Sequence, residues 1–249
     1  MKKALATIAL LLTVQNFHAQ EKYALGFSFG FGKSYFHNDY TTEANHFNFE
    51  SPTSVTIGTQ LVKYINPKNQ VVFKLGYTSK KVKFEYNTNE PDIPYSVNET
   101  TEDKYNCLSL SAGYRRPFNI STLKIFAEVD LVADYNVNGS QSTEGNGNGT
   151  GDGNIPLDEP ILYQFNGTDN IGQKTITMGS TVALGFNFGK KKHSELSFNI
   201  NIPFNNIQNK TSAYQYNWQY QGREYVHKLN YKGSIIYPSV VFTYYAFNR

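Results

Sequence analysis

The sequence predicts an all-β chain closed into an eight-stranded antiparallel up-and-down transmembrane β-barrel with long extracellular loops. Three observations predict it. Eight segments alternate apolar and polar side chains with period two. The links between those segments are alternately short and long. Beyond the first residues, no apolar stretch approaches the ~20 residues of a membrane-spanning helix, so entry into lipid would require a closed barrel.

The first element reads as a targeting segment rather than as part of the fold. Lys2 and Lys3 precede the apolar run Ala4 to Val14, which has the length of a signal-peptide core and is too short to cross a bilayer. Cleavage is expected after Ala19. This leaves residues 1–19 as signal peptide and 20–249 as one barrel domain, with Gln20 rather than a cysteine directly after the cut, so that a lipoprotein anchor is not expected.

The strands follow in order. The first, from Tyr23 to about Phe36, sets Leu25, Phe27, Phe29 and Phe31 against Ala24, Gly26, Ser28, Gly30 and Gly32. The second carries Val55, Ile57 and Leu61. The third carries Val71, Phe73, Leu75 and Tyr77, with Val82, Phe84 and Tyr86 continuing beyond a polar stretch. The fourth sets Leu108, Leu110, Ala112 and Tyr114 against Cys107, Ser109, Ser111 and Gly113. The fifth is the clearest. Leu123, Ile125, Ala127, Val129, Leu131, Ala133, Tyr135 and Val137 oppose Lys124, Phe126, Glu128, Asp130, Val132, Asp134 and Asn136. A strand separates those two sets because successive side chains point to opposite faces. The sixth has Ile176, Met178, Val182, Leu184, Phe186 and Phe188; the seventh has Leu196, Phe198, Ile200, Ile202 and Phe204. The eighth, Ser234 to Phe247, is apolar on both faces, with Val240, Phe242 and Tyr244 assigned outward.

The links carry an independent signal. Residues 37–53, 87–103, 138–173 and 205–233 are long and polar, whereas 65–70, 117–121 and 189–194 are short and rich in turn formers. Outer-membrane barrels pair short periplasmic turns with long outer loops, and an even strand number puts both chain ends on the periplasmic side. The apolar face is therefore expected to meet lipid, with the Gly-, Ser-, Thr- and Asn-rich face enclosed. A soluble ligand-binding barrel would reverse the two faces. A ten-stranded wall would add both arms of the fourth long link.

Composition narrows the function classes. Charged residues are 17% and aromatics 15%, with 19 Tyr and 18 Phe, side chains that suit a membrane–water boundary. The net charge of +3, spread along the chain, gives no nucleic-acid signature. The single cysteine, Cys107, excludes an internal disulfide and a thiolate metal cluster.

The stretch Leu108-Ser109-Leu110 to Tyr114-Arg115-Arg116-Pro117-Phe118, together with the targeting segment, the loop alternation and the strand leaving near Gly139, resembles the PorT-like outer-membrane β-barrel family of Gram-negative bacteria. The architecture is shared with OmpA-type barrels. The resemblance implies outer-membrane localisation and, in one branch of that family, service to a protein secretion system. The C-terminus departs from the usual assembly signal, because Asn248 and Arg249 follow Phe247.

Four constellations are candidates for chemistry. Lys74, Arg115, Lys124 and Glu195 are expected near the periplasmic end of the lumen, Glu128 and Asp130 at mid-height and Asp134 above them. They form either a salt-bridged plug or a narrow ion path. Glu128 is the residue of interest, because no cation at its level is evident in the sequence. His37 with Asp39 and a nucleophile such as Ser34 would make an outer-membrane hydrolase, and His37, His46 and His227 a metal site, but no spacing specifies either. Gly145 to Asn154 alternates Gly with Asn, Thr and Asp, and reads as a low-complexity loop rather than a calcium turn, with Asp152, Asp158 and Glu159 its few carboxylates. In the fourth link, Tyr214, Tyr216, Trp218 and Tyr220 alternate with Gln215, Asn217 and Gln219. Gln221-Gly222 would turn the chain, and Tyr225, His227, Leu229 and Tyr231 return. This hairpin is the candidate binding surface for a protein or glycan partner, or a cap packed over the lumen. The expected function is non-enzymatic: a structural or surface-interaction barrel in outer-membrane lipid, with no cofactor and no metal.

Overall fold

The computed structural model describes residues 23–42, 47–88, 97–121, 123–146, 162–168, 176–189, 193–204, 212–220 and 223–248. The targeting segment, His46, residues 147–154 of the glycine-rich stretch, Asp158, Glu159 and Gln221-Gly222 lie outside the described residues. The strands are β1 (Tyr23–Lys33), β2 (Tyr35–Thr42), β3 (Phe47–Glu50), β4 (Thr53–Asn66), β5 (Asn69–Thr88), β6 (Val97–Ile120), β7 (Leu123–Asn146), β8 (Leu162–Thr168), β9 (Ile176–Phe188), β10 (Ser194–Pro203), β11 (Ser212–Tyr220) and β12 (Arg223–Asn248). Strands β1, β4, β5, β6, β7, β9, β10 and β12 pair in that order, and β12 returns to β1. The ring is closed, antiparallel and eight-stranded, so the ten-stranded wall is not the one formed.

The alternation lands as expected. Leu25, Phe27, Phe29 and Phe31 of β1 point outward, while Ala24, Gly26, Ser28 and Gly30 point in. Every ring strand presents large apolar side chains to the outside, including Ile57, Leu75, Leu110, Leu131, Leu184, Ile200 and Phe242. Leu131 is 67% exposed, whereas Glu128 on the same strand is 1% exposed. A soluble monomer rarely shows a continuous apolar surface of this extent. On β9 the outward apolar set runs from Ile176 to Phe188. That span is roughly 40 Å along a strand, or roughly 28 Å along the barrel axis at the usual tilt, close to a hydrocarbon core. The outward tyrosines lie at its two ends, Tyr35, Tyr77 and Tyr135 at one and Tyr114 and Tyr244 at the other, whereas outward phenylalanines such as Phe29, Phe198 and Phe242 also occupy the middle.

The turn end is tight. Between β4 and β5, the Lys68 amide donates to Asn66 Oδ1 at 2.9 Å, an Asx-type turn. Gly189, after β9, has φ +84°, a conformation that favours glycine. Between β6 and β7 the ladder runs further than the 117–121 link implies. Ile120 pairs with Leu123, and Ser121 takes the left-handed conformation, φ 55°.

The loop end differs from the expectation of polar loops. β5 continues to Thr88, β6 begins at Val97, β7 reaches Asn146, and β12 starts as far back as Arg223. The cause is visible on β5. From Phe73 to Tyr77 the apolar side chains are outside; beyond Lys80, Lys81, Lys83 and Glu85 face out and Val82, Phe84 and Tyr86 face in. The pattern inverts where the surroundings change from lipid to water. Above the inversion the wall separates into two sheets. One is β3–β5–β6–β7, and the other is β2–β12–β11–β8. They meet across an apolar core of Val82, Phe84, Tyr86, Tyr105, Cys107, Leu229 and Ile235, with Phe36, Phe47 and Phe49 packed against it. The barrel is thus roofed by a small β-sandwich.

Candidate functional site

The interior below that roof is polar, and its charges converge because strand register places them so. Arg115 of β6 sits directly opposite Glu128 of β7. Its Nε donates to Glu128 Oε2 at 2.5 Å. Its other nitrogens cross the lumen to Glu195 of β10, Nη1 to Oε2 at 2.6 Å and Nη2 to Oε1 at 3.1 Å. The guanidinium carbon lies 3.9 Å from the centre of the Phe126 ring, a cation–π contact. Lys74 of β5 binds Glu128 and, at 2.8 Å, Asp130 Oδ2. Tyr245 of β12 donates to Glu195 Oε2 at 2.7 Å, and Gln60 of β4 donates to Tyr245 and, at 3.3 Å, to Glu195 Oε1. β4, β5, β6, β7, β10 and β12 are therefore tied across the lumen by one network. Beside it, Ala24, Val62, Val72 and Tyr245 form a small apolar cluster, with Tyr64 packed against it.

Above the network is a cavity of about 120 Å³, large enough for several waters. Hydroxyls and amides line it, among them Ser28, Thr56, Thr78, Ser111, Asn199 and Asn201. Lys80 and Asp134, 2.6 Å apart, form a second ion pair on its wall, and Tyr237 also lines it. Tyr237 Oη in turn donates to the Ser54 carbonyl at 3.1 Å.

The expectation for Glu128 is corrected: two cations reach it, Arg115 from the adjacent strand β6 and Lys74 from β5, one strand further round the wall. The sequence hid this because their side chains converge from strands whose register is not written in the pattern. Of the other lumen charges, Asp130, Asp134 and Glu195 are buried inside. Lys124 is not: it is exposed at the turn end, between Asn119 and Asn187 in register, where the strand has only begun and water reaches both faces. Lys80, Gln60 and Tyr245 were missed. Parity would have found Lys80, which lies on the same face as Lys74, and Tyr245, which lies on the face opposite Phe242 and Tyr244.

Two of the residues that were candidates for catalysis or metal binding have their described side chains engaged elsewhere. Ser34 is buried, its Oγ 2.7 Å from Ser54 Oγ and accepting from the Lys81 amide at 3.3 Å. His227 is buried in the sandwich core with Nδ1 2.7 Å from Tyr86 Oη. His37 and Asp39 lie on β2, where they pair with Ser234 and Lys232. Among the described residues no three His, Cys, Asp or Glu side chains are grouped to hold a metal.

The hairpin is formed by β11 and the start of β12. Tyr214 pairs with Leu229, Tyr216 with His227, Trp218 with Tyr225 and Tyr220 with Arg223. Of these partners, His227 and Leu229 are buried. Between them in register, Gln215 pairs with Lys228, Asn217 with Val226 and Gln219 with Glu224.

No family model matches the chain, and no curated protein matches it. Among solved structures it is similar to the outer membrane protein OprG from Pseudomonas aeruginosa, at 9% identity over 92% of this chain and 97% of that one, TM-score 0.38. It is also similar to Neisserial surface protein A, at 11% identity over 89% and 96%, TM-score 0.33. A third is the outer membrane protein AlkL in DMPC lipid bilayers, at 11% identity over 92% of each chain, TM-score 0.32.

Proposed function

We propose that the protein is a non-enzymatic barrel of the bacterial outer membrane that acts through its loop end, as a structural or surface-interaction element. The observation that carries this reading is the apolar outer belt on all eight ring strands around an interior filled by ion pairs and roofed by an apolar sandwich. Such a belt needs lipid, and such an interior leaves little room for a solute path. What remains available to a partner is the loop-end sandwich and its connections. Resemblance to PorT-like barrels at Leu108 to Phe118 supports an envelope-assembly role of that kind.

The test is direct. The protein is expected to fractionate with outer membrane, to need detergent once extracted, and to migrate faster on gels unheated than boiled. In planar bilayers the folded protein is expected to give no steady conductance. A protein that stays dissolved without detergent overturns the membrane assignment; a steady open pore overturns the sealed interior.

A further inference from the structure

Surface charges are sorted by end. At the loop end they are mixed: Lys81 pairs with Glu102 and Lys83 with Glu50. At the turn end they are of one sign. Lys68, Arg116 and Lys124 are exposed there and Lys63 is half-buried. The described carboxylates of that end, Glu128, Asp130 and Glu195, are all buried in the lumen. The link 189–194 adds Lys190, Lys191 and Lys192 in sequence and no acid. Among the described residues, none of Lys63, Lys68, Arg116 and Lys124 has an ion-pair partner. Their counter-charge comes from outside the chain.

Two of these cations stand in the wall, at the edge of the belt. Lys63, Val71 and Tyr114 are in register across β4, β5 and β6, on the face that carries Ile57, Leu75 and Leu110. Lys63 Nζ lies 5.8 Å from the centre of the Tyr23 ring. Arg116 is one outward step beyond Tyr114 toward the turn, with Phe118 next on the same face. Tyr114 Oη donates to Asn69 Oδ1, which leaves Asn69 Nδ2 as a donor. The pairing of Gln70 with Arg115 brings Asn69 beside Arg116. From strand spacing and rise, Lys63 and Arg116 are about 12 Å apart at Cα, with β5 between them, within reach of a common group for two long side chains. Guanidinium, ammonium and amide donors at the level of an interfacial tyrosine suit a phosphate. A zwitterionic headgroup would bring its own ammonium into an all-cationic rim, and an anionic one would not. An acidic peptide would be met from the turns, at Lys68 and Lys124, whereas Lys63 and Arg116 continue the lipid-facing surface. We propose that the rim at Lys63, Asn69 and Arg116 binds the phosphate of an anionic phospholipid in the leaflet at the turn end. The site rests on the membrane reading above and adds to it a lipid class and a place.

The experiment reconstitutes the folded protein into vesicles of equal parts phosphatidylglycerol and phosphatidylcholine. Flotation is read first, then native mass spectrometry of the lipids that stay on the released protein. Phosphatidylglycerol is expected in excess among them, by about fivefold for each cation engaged. Arg116→Gln is expected to cut that excess about fivefold, and Lys63→Gln in addition to remove most of the remainder. Lys81→Gln with Lys104→Gln, at the loop end, is expected to leave the excess unchanged. The proposal is overturned if the double variant at Lys63 and Arg116 retains phosphatidylglycerol as the parent does, or if the excess falls only with the loop-end pair. Protein that floats but keeps both lipids alike overturns this site alone. Protein that does not float with the vesicles overturns the membrane reading, and the site with it.

Discussion

At the scale of the residue, Arg115 is the side chain on which the interior turns. It holds Glu128 and Glu195, and it covers Phe126. Removing one partner of a buried ion pair leaves the other charge uncompensated, at a cost of about 3–5 kcal/mol. Arg115→Met is expected to lose about that much, read as the urea midpoint of refolding in detergent. Replacing Arg115, Glu128 and Glu195 together by apolar residues of similar volume is expected to cost far less. Equal losses for the single and triple variants would mean that packing, not charge, is what Arg115 supplies. Most of these residues were legible in the sequence. Period-two alternation placed Glu128, Asp130, Asp134 and Glu195 on the enclosed face. Their partners were not legible, because a partner across the lumen depends on register and side-chain reach, neither of which periodicity encodes. Lys124 shows the opposite limit: parity put it inside, but parity says nothing of where along the strand water begins.

At the scale of the element, each ring strand has a middle section facing lipid and ends facing water. A charge on the outer face should therefore cost by depth. Leu131→Arg, near the middle of β7, is expected to lose about 2–4 kcal/mol, and Ile120→Arg at the turn end about 0–1 kcal/mol, on the same refolding assay. Similar losses at both sites would contradict the placement of the belt. The loop-end strands answer to pH instead. Glu50 of β3 lies 2.6 Å from Lys83 of β5, and that contact holds its carboxyl below the ordinary value of 4.5. Glu85 is pushed above 4.5, first by sharing a hydrogen bond with Glu50. The signs differ. Glu85, raised, protonates first as pH falls and leaves the Glu50–Lys83 pair intact. Glu50, lowered, contributes stability above its unfolded value and loses it only as pH falls through its folded value. Hydrogen exchange of the β3 amides is thus expected to hold steady through the titration of Glu85 and to quicken only in stronger acid. Quickening at the first step would refute this order. The sequence announced these sections by the switch of apolar residues from Tyr77 to Val82. That change of parity reads as a broken strand until one knows that the solvent has changed and the strand has not.

At the scale of the whole molecule, the eight-strand count, the alternation of turns and loops and the outward belt were all legible, because each follows from local pattern. The sandwich was not. Its two sheets are assembled from pieces of links that read as polar loop, and its core joins β5 and β6 to β12 from far along the chain. The strand β12 spans that whole distance. It pairs with β1 and β10 at belt level and with β2 and β11 above it. This one strand is then both the seam of the cylinder and the beam that carries half its lid. Assembly has no intermediate in which a finished tube awaits a cover: until this segment docks, the molecule has neither, and the ladder groups at the edges of β1 and β10 stay unpaired where hydrocarbon would leave them unsatisfied.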